Sequence, residues 1–152
     1  MKNHLRHLTY LFALAAIMSP SAAWSEEDPI YTTYFSSVAA GGYDVTSYFN
    51  AAQPIKGEKA FKTEYKDADW HFASQENLDK FIQNPQRYAP QYGGYCAWAV
   101  SQGSTASGDP LLWTIHEDKL YLNYNQEINN RWRSDKEGLI VAADKNWPAV
   151  LN

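Results

Sequence analysis

A strand passes directly into a helix in the segment Trp70-His71-Phe72-Ala73-Ser74-Gln75-Glu76-Asn77. Side chains alternate across a strand, so Trp70 and Phe72 share one face and His71 points to the other. Ser74 is a typical helix N-cap, and Asn84-Pro85 ends the helical pattern. The segment therefore predicts a strand that ends at Phe72 and a helix that begins after Ser74. The inner face of this helix is predicted to consist of Asn77, Leu78, Phe81 and Ile82.

Two hairpins are predicted around this unit. Residues 59–65 alternate like a half-buried strand, and a turn at Asp67-Ala68-Asp69 returns the chain into the aromatic strand. Residues 112–116 and 119–123 flank the charged pair Glu117-Asp118, which is typical of a hairpin turn. The chain therefore contains two short antiparallel units.

Short helices complete the predicted fold. Asp44 is placed to cap a short helix that sets Asp44 and Tyr48 on one face. Residues 125–133 and 136–144 have the pattern of two further helices, the first with a buried stripe through Ile128 and Trp132. Two hairpins with short helices predict a small α+β domain.

The N-terminal 25 residues have the pattern of a secretory signal. Lys2 and Arg6 supply a positive start, an apolar run follows at 8–18, and small residues follow Pro20. We expect cleavage near residue 25 and a protein that resides in the periplasm or is secreted. The remaining chain is divided into a lead segment at 26–37, a domain at 38–148 and a C-terminal tail at 149–152.

Length and charge exclude several classes of protein. A chain of 152 residues is enough for one domain but short for two separate cores. Lys and Arg number 13 against 17 Asp and Glu, so no basic field exists to bind nucleic acid. No stretch reaches the roughly 20 apolar residues of a membrane span, so the mature chain is not expected to cross a bilayer.

The ligand-forming residues are few once the signal is removed. The mature chain keeps one Cys, two His and no Met. This inventory excludes an internal disulfide, a four-Cys zinc site, a c-type haem attachment site and a dithiol oxidoreductase. Cys96 is therefore buried and inert as a core residue, paired with another molecule, bound to a metal, or reactive.

A few side chains are candidates for a site. Cys96 is the candidate ligand or nucleophile, and His71 is the nearest candidate for a second metal ligand. His116 lies beside a charged turn and is expected to be exposed. Tyr43, Asp44 and Tyr95 are candidates for a ligand pocket, although helix capping accounts for Asp44 equally well.

The sequence resembles the YHS domain family. The resemblance rests on residues 70–77, Phe81 and residues 84–88, and on Gly-Tyr motifs that are similar to a secreted bacterial branch; it covers residues 38–148. It implies a metal-binding module, since YHS domains elsewhere bind copper or related ions through paired Cys. Metal-binding members carry Cys where this chain has Ala73 and Asn77. Some members of the secreted branch place selenocysteine at the position of Cys96.

Three functions follow as expectations. The first is an exported module, more a binding protein than an enzyme, that binds a copper-like metal ion or a metal-bearing protein partner through Cys96. The second is a redox enzyme in which the Cys96 thiolate is oxidised to the sulfenic acid and restored by an outside thiol. The third is a structural or partner-binding protein with an exposed patch of Tyr and Trp.

Overall fold

The computed structural model describes residues 26–152, and the predicted signal at 1–25 lies outside them. Two antiparallel hairpins organise these residues, as the sequence predicts for an α+β domain. The helices and strands follow the chain as α1 (Ser47–Asn50), β1 (Glu58–Tyr65), β2 (Ala68–Phe72), α2 (Gln75–Gln83), α3 (Pro85–Tyr88), α4 (Ala97–Ser101), β3 (Asp109–His116), β4 (Lys119–Asn123), α5 (Gln126–Ser134) and α6 (Lys136–Asn146). Short 3-10 turns lie at Ala39–Gly42, Gln91–Gly94 and Ala149–Leu151. No helix within the described residues is long and apolar enough to cross a bilayer.

The first hairpin confirms the predicted strand faces and corrects the predicted turn. Trp70 and Phe72 are buried and His71 is half-buried. The turn is Lys66-Asp67, both with positive φ, and not Asp67-Ala68-Asp69, because Tyr65 pairs directly with Ala68. A two-residue turn of this type matches the twist of the strands it joins.

Helix α2 begins where the sequence predicts. The Ser74 side chain accepts a hydrogen bond from the Asn77 backbone N–H at 3.2 Å, and Leu78 and Phe81 face the core. Ile82 does not belong to the inner face, since 55% of it is exposed. Phe81 packs against the rings of Trp70 and Phe72. The buried face of the helix is therefore centred on Phe81, and Ile82 lies outside it.

The second hairpin and its helix follow the prediction closely. Strands β3 and β4 meet at the turn Glu117-Asp118, and Asn125 caps α5 through a 2.8 Å bond from the Ile128 N–H. Trp132 is fully buried and Ile128 is half-buried. The other buried side chain of this helix is polar, Asn129.

The two hairpins are copies of one structural unit. The pair Glu58↔Phe72 of the first hairpin corresponds to Asp109↔Asn123 of the second, 51 residues further along, and each remaining pair corresponds at the same spacing. Both hairpins carry a register shift at the same place, and both lead into a helix of 9 residues. The fold is therefore an internal repeat, with a first repeat at 39–83 and a second at 91–134.

The loop before each hairpin repeats as well. Ala40-Gly41-Gly42 and Tyr92-Gly93-Gly94 both run through three consecutive residues of positive φ. In each copy a tyrosine follows the loop, and the residue after it donates its backbone N–H to a carbonyl at 2.8 Å. Asp44 donates to Ile55 in the first copy, and Cys96 donates to Ala106 in the second. Asp44 and Cys96 thus occupy equivalent places.

The lead segment contacts both repeats. Ile30 is buried in the core that contains Trp70 and Phe72, and the Tyr31 backbone N–H donates to the Gly93 carbonyl at 2.9 Å. The Glu27 N–H donates to the Leu151 carbonyl at 2.8 Å, and Leu151 is buried. The lead and the last turn of the chain close on each other.

The repeat supplies a matched pair of variants for this packing. Gly41→Ala and Gly93→Ala both place a side chain at a φ near +60°, which costs about 1 kcal/mol. A Cβ at Gly41 meets only the Pro110 ring at 3.3 Å, whereas one at Gly93 overlaps the Pro29 carbonyl. We expect Gly93→Ala to lower the free energy of unfolding by several kcal/mol more than Gly41→Ala in urea titrations. Equal losses would contradict the packing of the lead segment.

Candidate functional site

Cys96 lies at the centre of the second repeat, between the Gln91–Gly94 turn and α4. Its backbone forms a bridge with Leu122 of β4, and only 1% of the residue is exposed. The glycine-containing turn before it brings the chain against β4, which is why the thiol points into the domain. The thiol is therefore shielded in the described structure.

Hydrogen-bond donors converge on the sulfur. The Cys96 Sγ lies 3.7 Å from the Asn123 Oδ1, to which the thiol donates. The nearby backbone N–H groups of Ala99, Tyr124 and Trp98 favour the thiolate form and act to lower its pKa. Burial outweighs them, so the pKa of the Cys96 thiol is raised above its ordinary value. At neutral pH the group is a protonated thiol in a cradle that can also accommodate an anion.

Asp44 shows what the same cradle does in the first repeat. Its carboxylate is fully buried and accepts four hydrogen bonds. They come from the Thr46 N–H and hydroxyl, from the Ala73 N–H and from the Asn77 side chain, at 2.7 to 2.9 Å. Asp44 thus ties α1 to the start of α2, and it is not placed at the mouth of a pocket.

Two backbone donors correspond between the two residues. Thr46 and Trp98 each stand two residues after the acceptor, and Ala73 and Tyr124 each stand directly before a helix cap. The backbone N–H groups that hold the Asp44 carboxylate therefore have counterparts at the Cys96 sulfur. Cys96 occupies a position that the fold can supply with anion-binding donors.

Asn123 and Asn129 are site residues that sequence reasoning missed. Asn123 is fully buried, and its Oδ1 also accepts from the Trp98 N–H at 3.2 Å. Its amide nitrogen donates to the Asn129 Oδ1 at 3.3 Å, and Asn129 is 4% exposed. The sequence signal was available in the repeat, because the equivalent residues of the first repeat are the apolar Phe72 and Leu78.

His71 and Cys96 lie on different hairpins. His71 is in β2, which forms a sheet with β1, whereas Cys96 contacts β4 of the other sheet. His71 lines a surface cavity of about 440 Å³ together with Lys56 and Lys59. Two lysines beside the imidazole make this cavity a poor environment for a metal cation.

The other candidate residues are dispersed. Tyr43 lies under the Lys56 ammonium, with 4.1 Å from Nζ to the ring centroid. Tyr95 is the counterpart of Tyr43 in the second repeat, and its hydroxyl donates to the Asp28 carbonyl at 2.8 Å. His116 is half-buried at the end of β3. These residues and Asp44 do not form one pocket.

The aromatic side chains are mostly interior. Among residues 26–152 every tryptophan is at least half-buried, and the exposed large aromatic residues are Tyr34, Phe35 and Tyr124. Tyr34 and Phe35 pack edge to face with 4.9 Å between ring centroids, each 94% exposed. The exposed aromatic surface is thus one pair on the lead segment and one separate tyrosine.

The residues around Cys96 do not fit a resident metal ion. Within residues 26–152 no three His, Cys, Asp or Glu side chains cluster as metal ligands. The sulfur faces N–H donors, which repel a cation. Ala73 and Asn77 stand where the resemblance expects Cys, and both donate to Asp44.

The family model of the YHS domain matches residues 46–92. The predicted YHS resemblance is confirmed for this segment, which spans α1, the first hairpin, α2 and α3. YHS domains are generally associated with metal binding, copper in particular. Cys96 lies outside the matched segment, in the second repeat. Searches of curated proteins and of solved structures find no match.

The raised thiol pKa predicts a stability difference at alkaline pH. Above about pH 8.5 the unfolded chain loses the Cys96 proton while the folded chain keeps it, so stability falls with pH. The loss reaches at most about 1.4 kcal/mol per pH unit and ends at the folded pKa. We expect the free energy of unfolding to fall more between pH 7.5 and 10 for the wild type than for Cys96→Ala, since the variant lacks this group.

Buried tyrosines also lower stability near pH 10, because the unfolded chain loses their protons first, but they do so equally in the wild type and in Cys96→Ala. Burial raises the pKa of Tyr121 to about 12, and that of Tyr92 and Tyr48 further. Parallel curves for the two proteins in urea titrations at each pH would contradict the raised thiol pKa.

Proposed function

We propose that the chain is a YHS-type module whose chemistry is carried by the single thiol of Cys96, and that it acts as a one-cysteine redox protein. The carrying observation is the position of the sulfur: it occupies the place that a buried carboxylate, Asp44, holds in the first repeat, where backbone N–H groups favour an anion. Such donors stabilise the thiolate and the sulfenate oxygen that oxidation produces. The Asn123 Oδ1 accepts from the protonated thiol and holds it in one orientation.

The proposed reaction balances with two external reactants. The Cys96 thiolate attacks one oxygen of a hydroperoxide; an S–O bond forms, the O–O bond breaks, and the leaving oxygen takes a proton to become water or an alcohol. The sulfur is oxidised by two electrons and the peroxide is reduced. A small thiol then displaces water from the sulfenic acid, and a second thiol releases Cys96 with formation of an external disulfide.

The absence of a second cysteine in the mature chain agrees with this scheme. A lone thiol has no internal partner, so an outside thiol must complete the cycle. A thiolate of high pKa is also the stronger nucleophile per molecule, although a smaller fraction is present at neutral pH. Reaction with peroxide should therefore speed up as the pH rises towards the thiol pKa.

Oxidation of the mature protein by hydrogen peroxide tests the proposal. We expect dimedone to trap a sulfenic acid on Cys96 in the folded protein, detected by mass spectrometry, with a rate that rises with pH. Peroxide should be consumed repeatedly when a small thiol is added, and Cys96→Ser should consume none. His71→Ala is the matched control and should leave the rate unchanged. An adduct found only in denaturant would refute the proposal.

Binding of a soft metal ion through Cys96 is the second candidate, supported by the association of YHS domains with copper. A thiolate prefers Cu(I), but a partner or second chain would have to complete the coordination. Cu(I) titration against a competing chelator separates the two candidates. If the wild type competes with the chelator for Cu(I) and Cys96→Ser does not, metal binding through Cys96 is favoured. If His71→Ala also fails to compete, His71 is the second ligand.

Export is proposed from the N-terminal pattern at 1–25. The oxidising compartment that it implies is where a lone thiol requires shielding or recycling. We expect the protein isolated from its native compartment to begin at Trp24 or Glu26. Its intact mass decides the matter, since retention of Met1 would overturn the export proposal.

A further inference from the structure

The buried pair of amides at Asn123 and Asn129 lowers the stability of the core relative to apolar side chains, so its presence needs an explanation. Both amides lie where the first repeat places Phe72 and Leu78, which are buried and apolar. A buried amide stabilises a fold less than an apolar side chain of similar size. The second repeat therefore carries a polar pair at core positions that the same fold fills with apolar side chains elsewhere.

The pair joins Cys96 to a cavity. From the sulfur, the chain of hydrogen bonds runs through the Asn123 amide to the Asn129 Oδ1. Asn129 lines a cavity of about 410 Å³ between β3 and α5. Its polar lining is completed by Thr114, Gln126 and Arg133.

Thr114 provides an independent indication of a ligand there. Thr114 is 8% exposed. Within residues 26–152, its hydroxyl oxygen is one of two buried side-chain polar atoms that have no hydrogen-bond partner. Thr114 lines the same cavity as Asn129. An unpaired buried hydroxyl is unfavourable unless a water or ligand meets it.

We propose that this cavity binds the small polar reactant of Cys96, a hydroperoxide, and that Asn123 and Asn129 are positioning residues on its route to the sulfur. The proposal rests on the redox function above. Hydroxyl and amide groups can donate to and accept from both oxygens of a hydroperoxide, and Arg133 at the cavity favours a partly negative oxygen. Asn123 meanwhile holds the thiol in one orientation through its acceptor oxygen.

Two variants and one control test the route. Asn123→Leu combined with Asn129→Leu removes both amides together, so neither is left unpaired by the other. Thr114→Val removes only the hydroxyl. Thr63→Val makes the same change at the equivalent position of the first hairpin and serves as the control.

The reaction of Cys96 is measured with hydrogen peroxide and, separately, with methyl methanethiosulfonate, a small reagent that needs no redox function. We expect the double variant to slow both reactions about tenfold or more. Thr114→Val should slow the peroxide reaction severalfold, and Thr63→Val should change neither. The double variant also removes the acceptor of the Trp98 N–H, so its urea midpoint should fall slightly. A merely structural pair would instead expose the thiol in the double variant and speed both reactions.

The outcomes separate this inference from the function on which it rests. If the double variant and Thr114→Val react with peroxide as fast as the wild type or faster, the proposed route is wrong. The redox function of Cys96 would still stand. The wild type could instead fail to react with peroxide but react with the thiosulfonate, and the double variant could slow that second reaction. This result would overturn the redox function and the choice of hydroperoxide. That result would keep the cavity as the route to the thiol. If the double variant does not fold, Thr114→Val alone decides.

Discussion

Strand β4 is the element on which both halves of the molecule depend. Leu120 and Leu122 pack into the core of the first repeat, and Tyr121 packs with Trp132 in the core of the second. Successive residues of one short strand thus belong to different cores, and a shift of one residue would exchange all of them. The same register places Asn123, the last residue of the strand, at the Cys96 sulfur. The position of the thiol is therefore fixed by hydrophobic packing on both faces of the strand.

The internal repeat separates what the fold requires from what is special to one half. Both copies share the positive-φ loop, the hairpin register and a capped helix, so these features serve the fold. The copies differ where a carboxylate is exchanged for a thiol and where two apolar core residues are exchanged for asparagines. All of these exchanges meet in the second repeat, around Cys96. A chemical role is the simplest common reason for them.

Local patterns predicted the elements well and the site poorly. Alternation and caps located both hairpins and the helices after them, because these signals act within a few residues. The turn at Lys66-Asp67 was missed, since positive φ at a lysine leaves no mark in composition. Which residues approach Cys96 depends on the packing of β4, so Asn129 could be singled out only through the repeat, by comparison with Leu78. The two Gly-Gly-Tyr motifs were one sequence signal of the repeat, and thus of the Asp44 counterpart.

The contact between Glu27 and Leu151 has a consequence for the order of events during synthesis. The lead segment lies against Gly93, and its hydrogen bond to Leu151 joins nearly the first described residue to nearly the last. A growing chain cannot form this closure until Leu151 has left the ribosome, so the second repeat stays open along one side until then. The contact between the two distant segments is thereby one of the last to form among the described residues, well after Cys96 itself has been synthesised.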